Sequence, residues 1–183
     1  MLFRLINMAA FQIQWFLSVL GAAREFAWAG VTFGVAWLCI HVWYVGGVRD
    51  RELATVGFAF AIGLSAETVI ASAKLMQMGG SHAIGGTAVL PPLWLPVLWA
   101  GLGATINHSL GWLAGRYKLA AIMGALAGPF AYASAEHLGA VRIDGPLGLF
   151  AISAMYALAT PAMLAIAQHA QRHTTSLPAE VVR

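Results

Sequence analysis

Charge is scarce in this sequence: Asp, Glu, Lys and Arg make up 9% of its 183 residues. A soluble domain carries roughly 25% charged residues because its surface must be wetted. Most of the exterior is therefore expected to face lipid, and the length leaves almost nothing for a separate soluble domain. Cysteine is limited to Cys39, which excludes an intrachain disulfide and a cysteine-based metal site. In its apolar run, Cys39 is expected to be a buried small hydrophobe. Aspartate is limited to Asp50 and Asp144, both in connecting segments, so an Asp-rich site for Mg²⁺ and diphosphate and a Ser/His/Asp triad are both excluded. His-rich boxes for a di-iron site are missing as well, and no cofactor or metal is expected. The basic residues stand singly between apolar runs despite a net charge of +3, which argues against nucleic acid as a partner.

Long apolar runs are what the chain has instead. Crossing the hydrocarbon takes about 20 predominantly apolar residues, and six stretches qualify, near residues 6–23, 26–48, 53–76, 92–113, 118–140 and 147–170. The expected fold is an all-α bundle of six transmembrane helices forming one domain over residues 1–170, with a polar tail at 171–183. The first stretch ends in Leu20-Gly21-Ala22-Ala23, which suits a signal-peptidase site. Its length and the interruptions at Asn7, Gln12 and Gln14 favour a retained helix. With the N-terminus in the cytoplasm, Arg4, Arg49, Arg51, Arg116, Lys118, Arg172 and Arg183 fall inside, and only Arg24, Lys74 and Arg142 outside. That bias agrees with the positive-inside rule and places both termini in the cytoplasm.

Aromatic residues near the expected helix ends, Trp28, Trp43, Tyr44, Trp94, Trp112 and Tyr117, suit anchors at headgroup level. Gly57-x-x-x-Ala61 and Gly124-x-x-x-Gly128 have the spacing that lets helices pack closely. The glycine-rich stretch at 77–91, with His82, is expected to be a connector on the outer face. His169 and His173 share a helix face, but two ligands do not make a metal site.

Polar residues inside apolar spans are costly and need partners. At about 1.5 Å per residue, Asn7, His41, Asn107 and His108 are expected at one depth on the cytoplasmic side. Asn107 and His108, adjacent on a helix, should point about 100° apart. Glu67 stands apart, past the midplane of the third helix, with Gln14 or Thr68 as expected partner. Glu136 and His137 should be solvated at the outer end of the fifth helix. Pro129 and Pro161 free backbone carbonyls within their helices.

Three residue sets carry a resemblance. The first is Asn7, Phe11-Gln12 and Trp15-Phe16. The second is Pro92-Leu93-Trp94-Leu95, Leu98-Trp99 and Thr105-Ile106-Asn107-His108-Ser109-Leu110 with Trp112-Leu113. The third is Gly124, Gly128-Pro129, Tyr132 and Leu138-Gly139-Ala140-Val141. Together they resemble a family of small bacterial inner-membrane proteins catalogued as domain of unknown function 2878, over nearly the whole chain. That family tends to carry Asp where Glu67 stands, so the acidic group here sits one methylene further out. The resemblance implies a multi-pass protein of the bacterial inner membrane and an accessory role in fatty-acid modification or membrane stress response. The expected function is binding or handling of a lipid or small apolar ligand, with Asn7, Gln12, Trp15, His41, Glu67, Asn107, His108, Ser109 and Tyr132 as candidate binding residues. The alternatives are a lipid-modifying enzyme using Glu67 or His108 as acid/base, and a structural subunit whose protein partner is unknown.

Overall fold

Small and polar residues recur at helical spacing along the inward faces of the first and third helices. The computed structural model describes residues 1–79 and 90–175, with side chains through residue 172. The segment 80–89, with His82, the tail beyond 175 and the His173 side chain lie outside the described residues. Helix α1 (Leu2–Ala23) buries Asn7, Ala10, Gln14, Ser18 and Gly21, a spacing of three and four that keeps one face inward. Helix α3 (Arg49–Ser72) does the same with Glu52, Thr55, Ala59, Gly63, Glu67 and Ile70. The opposite faces carry bulk: Leu5, Phe16 and Val69 are 60%, 50% and 66% exposed. Polar groups inside and large apolar groups outside reverse the arrangement of a soluble bundle.

The remaining elements are α2 (Trp28–Tyr44), β1 (Met76–Met78), α4 (Trp94–Ile106), α5 (Tyr117–His137), β2 (Val141–Ile143) and α6 (Gly145–Thr175). Among the described residues the fold is all-helical apart from the two short strands, which pair antiparallel with Gln77 opposite Arg142. They fasten the end of α3 to the α5–α6 connection. Three segments, Leu2–Ala23, Gly46–Ser72 and Gly145–Arg172, are long and apolar enough to cross a membrane.

Side-chain contacts show that successive helices alternate in direction. Phe3 stacks on Tyr44, His41 and His108 both reach Glu52, and Tyr117 donates to Gln168. The starts of α1, α3 and α5 therefore share one end of the bundle with the ends of α2, α4 and α6. Arg4, Arg49, Arg51, Arg116, Lys118 and Arg172 belong to that same end.

Helix α4 is the hub, packed on α1, α2, α3 and α6. It buries eleven of its thirteen residues, Trp94 and Trp99 among them. Its length is the main departure from the expected 92–113. The Thr105 carbonyl accepts the N–H groups of His108 and Leu110 at 3.1 and 2.9 Å, which closes the helix and turns 107–110 out of it.

Three smaller expectations change. Cys39 is exposed because the inward stripe of α2 runs through Gly30, Val31, Gly34 and His41. Trp94 is buried, not interfacial, and donates to the Gly79 carbonyl at 3.0 Å. Gly57 has no neighbour that an added Cβ would meet, whereas a Cβ at Gly63 would overlap the Trp99 ring. Close packing on α3 thus runs through Ala59 and Gly63. Gly124 and Gly128 do pack, against Tyr156. Gly63→Ala should cost about 1–3 kcal/mol through overpacking, and Gly57→Ala should cost nothing measurable, as read by unfolding in detergent.

Candidate functional site

Two polar centres form, one near each end of α3, and both draw on its inward stripe. Glu52 and Glu67 are fifteen residues apart on that stripe, about 22 Å along the axis.

The first centre gathers at the arginine-rich end. Glu52, in the first turn of α3, is fully buried. His41 Nε2 lies 3.3 Å from its Oε2, His108 Nε2 lies 3.2 Å from Oε1, and an Arg51 guanidinium nitrogen 3.7 Å from Oε1. The two imidazoles meet edge to face, with centroids 5.0 Å apart. Phe3 covers them, stacked on His41 at 5.9 Å and edge-on to His108 at 5.0 Å. The His108–Glu52 contact is close but not aligned as a hydrogen bond. His41 Nδ1, Glu52 Oε1, His108 Nε2 and Arg51 Nε have no hydrogen-bond partner among the described residues.

The turn after α4 aims three neighbouring side chains three ways. Asn107 donates to Thr55 Oγ1 at 3.3 Å and accepts from Gln171 at 3.1 Å. His108 turns to Glu52. The Ser109 hydroxyl lies 2.7 Å from both Asn7 Oδ1 and the Arg4 carbonyl, while Asn7 Nδ2 donates to the Ala104 carbonyl at 3.1 Å. Asn107 and His108 do diverge as expected, but from a turn rather than from a helix.

The second centre lies where α3, α4, α5 and α6 converge. Glu67 is fully buried. Its Oε1 accepts hydrogen bonds from Trp99 Nε1 at 3.0 Å and from the Tyr132 hydroxyl. Its Oε2 has no partner among the described residues. Tyr156 of α6 completes an aromatic group, with ring centroids 4.6 Å from Trp99 and 6.0 Å from Tyr132. The expected partners of Glu67 are engaged elsewhere. Gln14 donates to the Val97 carbonyl at 2.9 Å, and Thr68 to its own helix at Leu64.

Trp99, Tyr132 and Tyr156 also line a cavity of about 790 Å³ between α1 and α5, with α4 behind it. Phe11, Trp15 and Val19 form the α1 wall, and Ala127, Phe130 and Ala131 the α5 wall. Gln12 is exposed at its edge and Trp15 is half-buried. Pro129 lies within α5 but does not line the cavity. The Ala125 carbonyl, which a proline at 129 cannot serve, accepts from Ser153 of α6 at 2.9 Å. Glu136 and His137 are exposed, as expected, although Glu136 also takes the Ile143 N–H at 2.7 Å.

The nine candidate residues therefore divide. Asn7, His41, Asn107, His108 and Ser109 gather at the arginine-rich end. Glu67, Tyr132, Trp15 and Gln12 belong to the cavity region. Sequence reasoning missed Glu52, Trp99 and Tyr156. Glu52 was legible in principle, because Glu52, Thr55, Ala59, Gly63 and Glu67 continue a single three-and-four stripe. All five carry polar or minimal side chains where an ordinary core would place leucine.

The molecule is thus an all-helical protein whose three long apolar helices indicate association with a membrane. The chain belongs to the family described as Protein of unknown function (DUF2878), which it matches over residues 4–162. No curated protein and no solved structure matches it.

Proposed function

We propose that the protein spans the bacterial inner membrane six times, with both termini in the cytoplasm, and binds an apolar, lipid-like chain in the cavity between α1 and α5. The alternation of helix direction and the arginines gathered at one end support this topology. Helix α4 is about 20 Å long, short of the roughly 30 Å hydrocarbon core. The turn that follows it is packed among neighbouring helices, where irregular backbone is tolerated at membrane depth.

The cavity carries the functional reading. Its volume of about 790 Å³ falls within the roughly 300–1,000 Å³ typical of small-molecule sites. Its lining is aromatic and aliphatic, with few polar atoms, which suits a hydrocarbon chain. Glu67 does not line it. The carboxylate acts by holding Trp99 and Tyr132, which do line it, in fixed orientations. A direct acid/base role for Glu67 is therefore less well supported than binding.

Native mass spectrometry of the purified protein tests the reading. The wild type should retain a lipidic mass after detergent stripping. Ala131→Phe, which puts a ring into the α5 wall, should lose most of it while unfolding at a similar temperature. Equal retention by both proteins, or none by the wild type, would contradict the proposal.

A further inference from the structure

The cluster at the arginine-rich end is separate from the cavity, and lipid binding leaves it unused. Its three side chains come from three places: His41 near the end of α2, Glu52 in the first turn of α3, and His108 in the turn after α4. One ligand atom from each lies within 4.8 Å of the others. The closest pairs are 3.3 and 3.2 Å apart. Two donors bound tetrahedrally to one ion at about 2.0–2.1 Å stand roughly 3.3–3.4 Å apart. The two imidazoles thus meet the two oxygens of one carboxylate, each at a spacing that neighbouring ligands of an ion also show.

Alignment points the same way. The His108–Glu52 contact is not directed as a hydrogen bond, and both Glu52 Oε1 and His108 Nε2 are without a hydrogen-bond partner among the described residues. Burial of Glu52 and His41 leaves neither side chain free to find water. His108 is 16% exposed, which leaves a route from the aqueous side.

We propose that His41, Glu52 and His108 bind a divalent transition metal ion of the zinc class. Two imidazoles and one carboxylate suit zinc better than calcium or magnesium, which prefer oxygen ligands throughout. Three protein ligands leave a fourth position open to water or another donor. Bound there, the ion would tie α2, α3 and the end of α4 together. The third span expected from hydropathy starts at residue 53, one position after Glu52, whereas α3 starts at Arg49 and carries Glu52 inward.

The test uses full-length protein carrying an affinity tag without histidine, stripped with chelator and then titrated with Zn²⁺ alone. Metal content after desalting and the unfolding temperature in detergent are the readouts, with Co²⁺ absorption reporting tetrahedral geometry. The wild type should take up about one ion per chain and become more resistant to unfolding. His137→Gln, which changes an exposed histidine outside the cluster, should behave like the wild type. Glu52→Gln and His108→Gln should each weaken binding by more than about tenfold, since loss of an outer-shell partner alone costs roughly 10–100-fold. His108 is partly exposed, so His108→Gln serves if Glu52→Gln does not fold. No uptake by the stripped wild type, or uptake by His108→Gln equal to that of the wild type, would overturn the proposal.

Discussion

Glu67→Leu should destabilise the protein by about 2–4 kcal/mol, because it orphans two buried donors at once. Trp99 Nε1 and the Tyr132 hydroxyl both give their hydrogen bonds to Glu67 Oε1. A buried donor left without a partner costs about 1–3 kcal/mol. Glu67→Gln keeps an oxygen at that place and should lose much less. Adding Tyr132→Phe to Glu67→Leu removes one orphan, so the double variant should be less destabilised than the sum of the two single changes. Unfolding in detergent across the four proteins gives the coupling. Additive losses would mean that Glu67 and Tyr132 do not act as a pair.

The second large effect belongs to Glu52. Glu52→Leu takes the hydrogen-bond acceptor from the buried His41 and the charge partner from His108, for an expected loss of about 1–3 kcal/mol. Asp50→Leu is the informative comparison. Asp50 has the same charge two residues earlier, but it is exposed, and a surface change of that kind usually stays within about 0.5 kcal/mol. Equal losses at the two positions would show that Glu52 is no more than a surface charge.

That comparison also marks how far the sequence could be read. Within Arg49-Asp50-Arg51-Glu52, composition makes four equivalent loop charges. Only the helical stripe, which begins three residues before Thr55, separates Glu52 from the rest. Gln12 and Gln14 pose the same problem in α1. They sit about 200° apart on a helix, and the spacing Asn7, Ala10, Gln14, Ser18 selects Gln14 as the inward one. Hydropathy located all six helices but overextended α4, since Leu110, Trp112 and Leu113 look like more of the same apolar run. What ends the helix is a backbone event at the Thr105 carbonyl, which hydropathy does not register. The pairing of His41 with His108 was legible from helix depth. Trp99 and Tyr156 were not, because two aromatic residues in apolar spans carry no sign that they will meet a carboxyl group or floor a cavity.

Binding as proposed brings an apolar chain to the aromatic floor of the cavity, and Trp99 can report that directly. Trp99 is 2% exposed, so a lipid that stays on the outer surface cannot touch it. A variant that keeps Trp99 as its sole tryptophan is reconstituted with lipids brominated along the acyl chain, and its fluorescence is measured. Strong quenching is expected, relieved by Ala131→Phe. Trp99 fluorescence unchanged by brominated lipid, in a protein whose unfolding shows the fold intact, would contradict binding in the cavity.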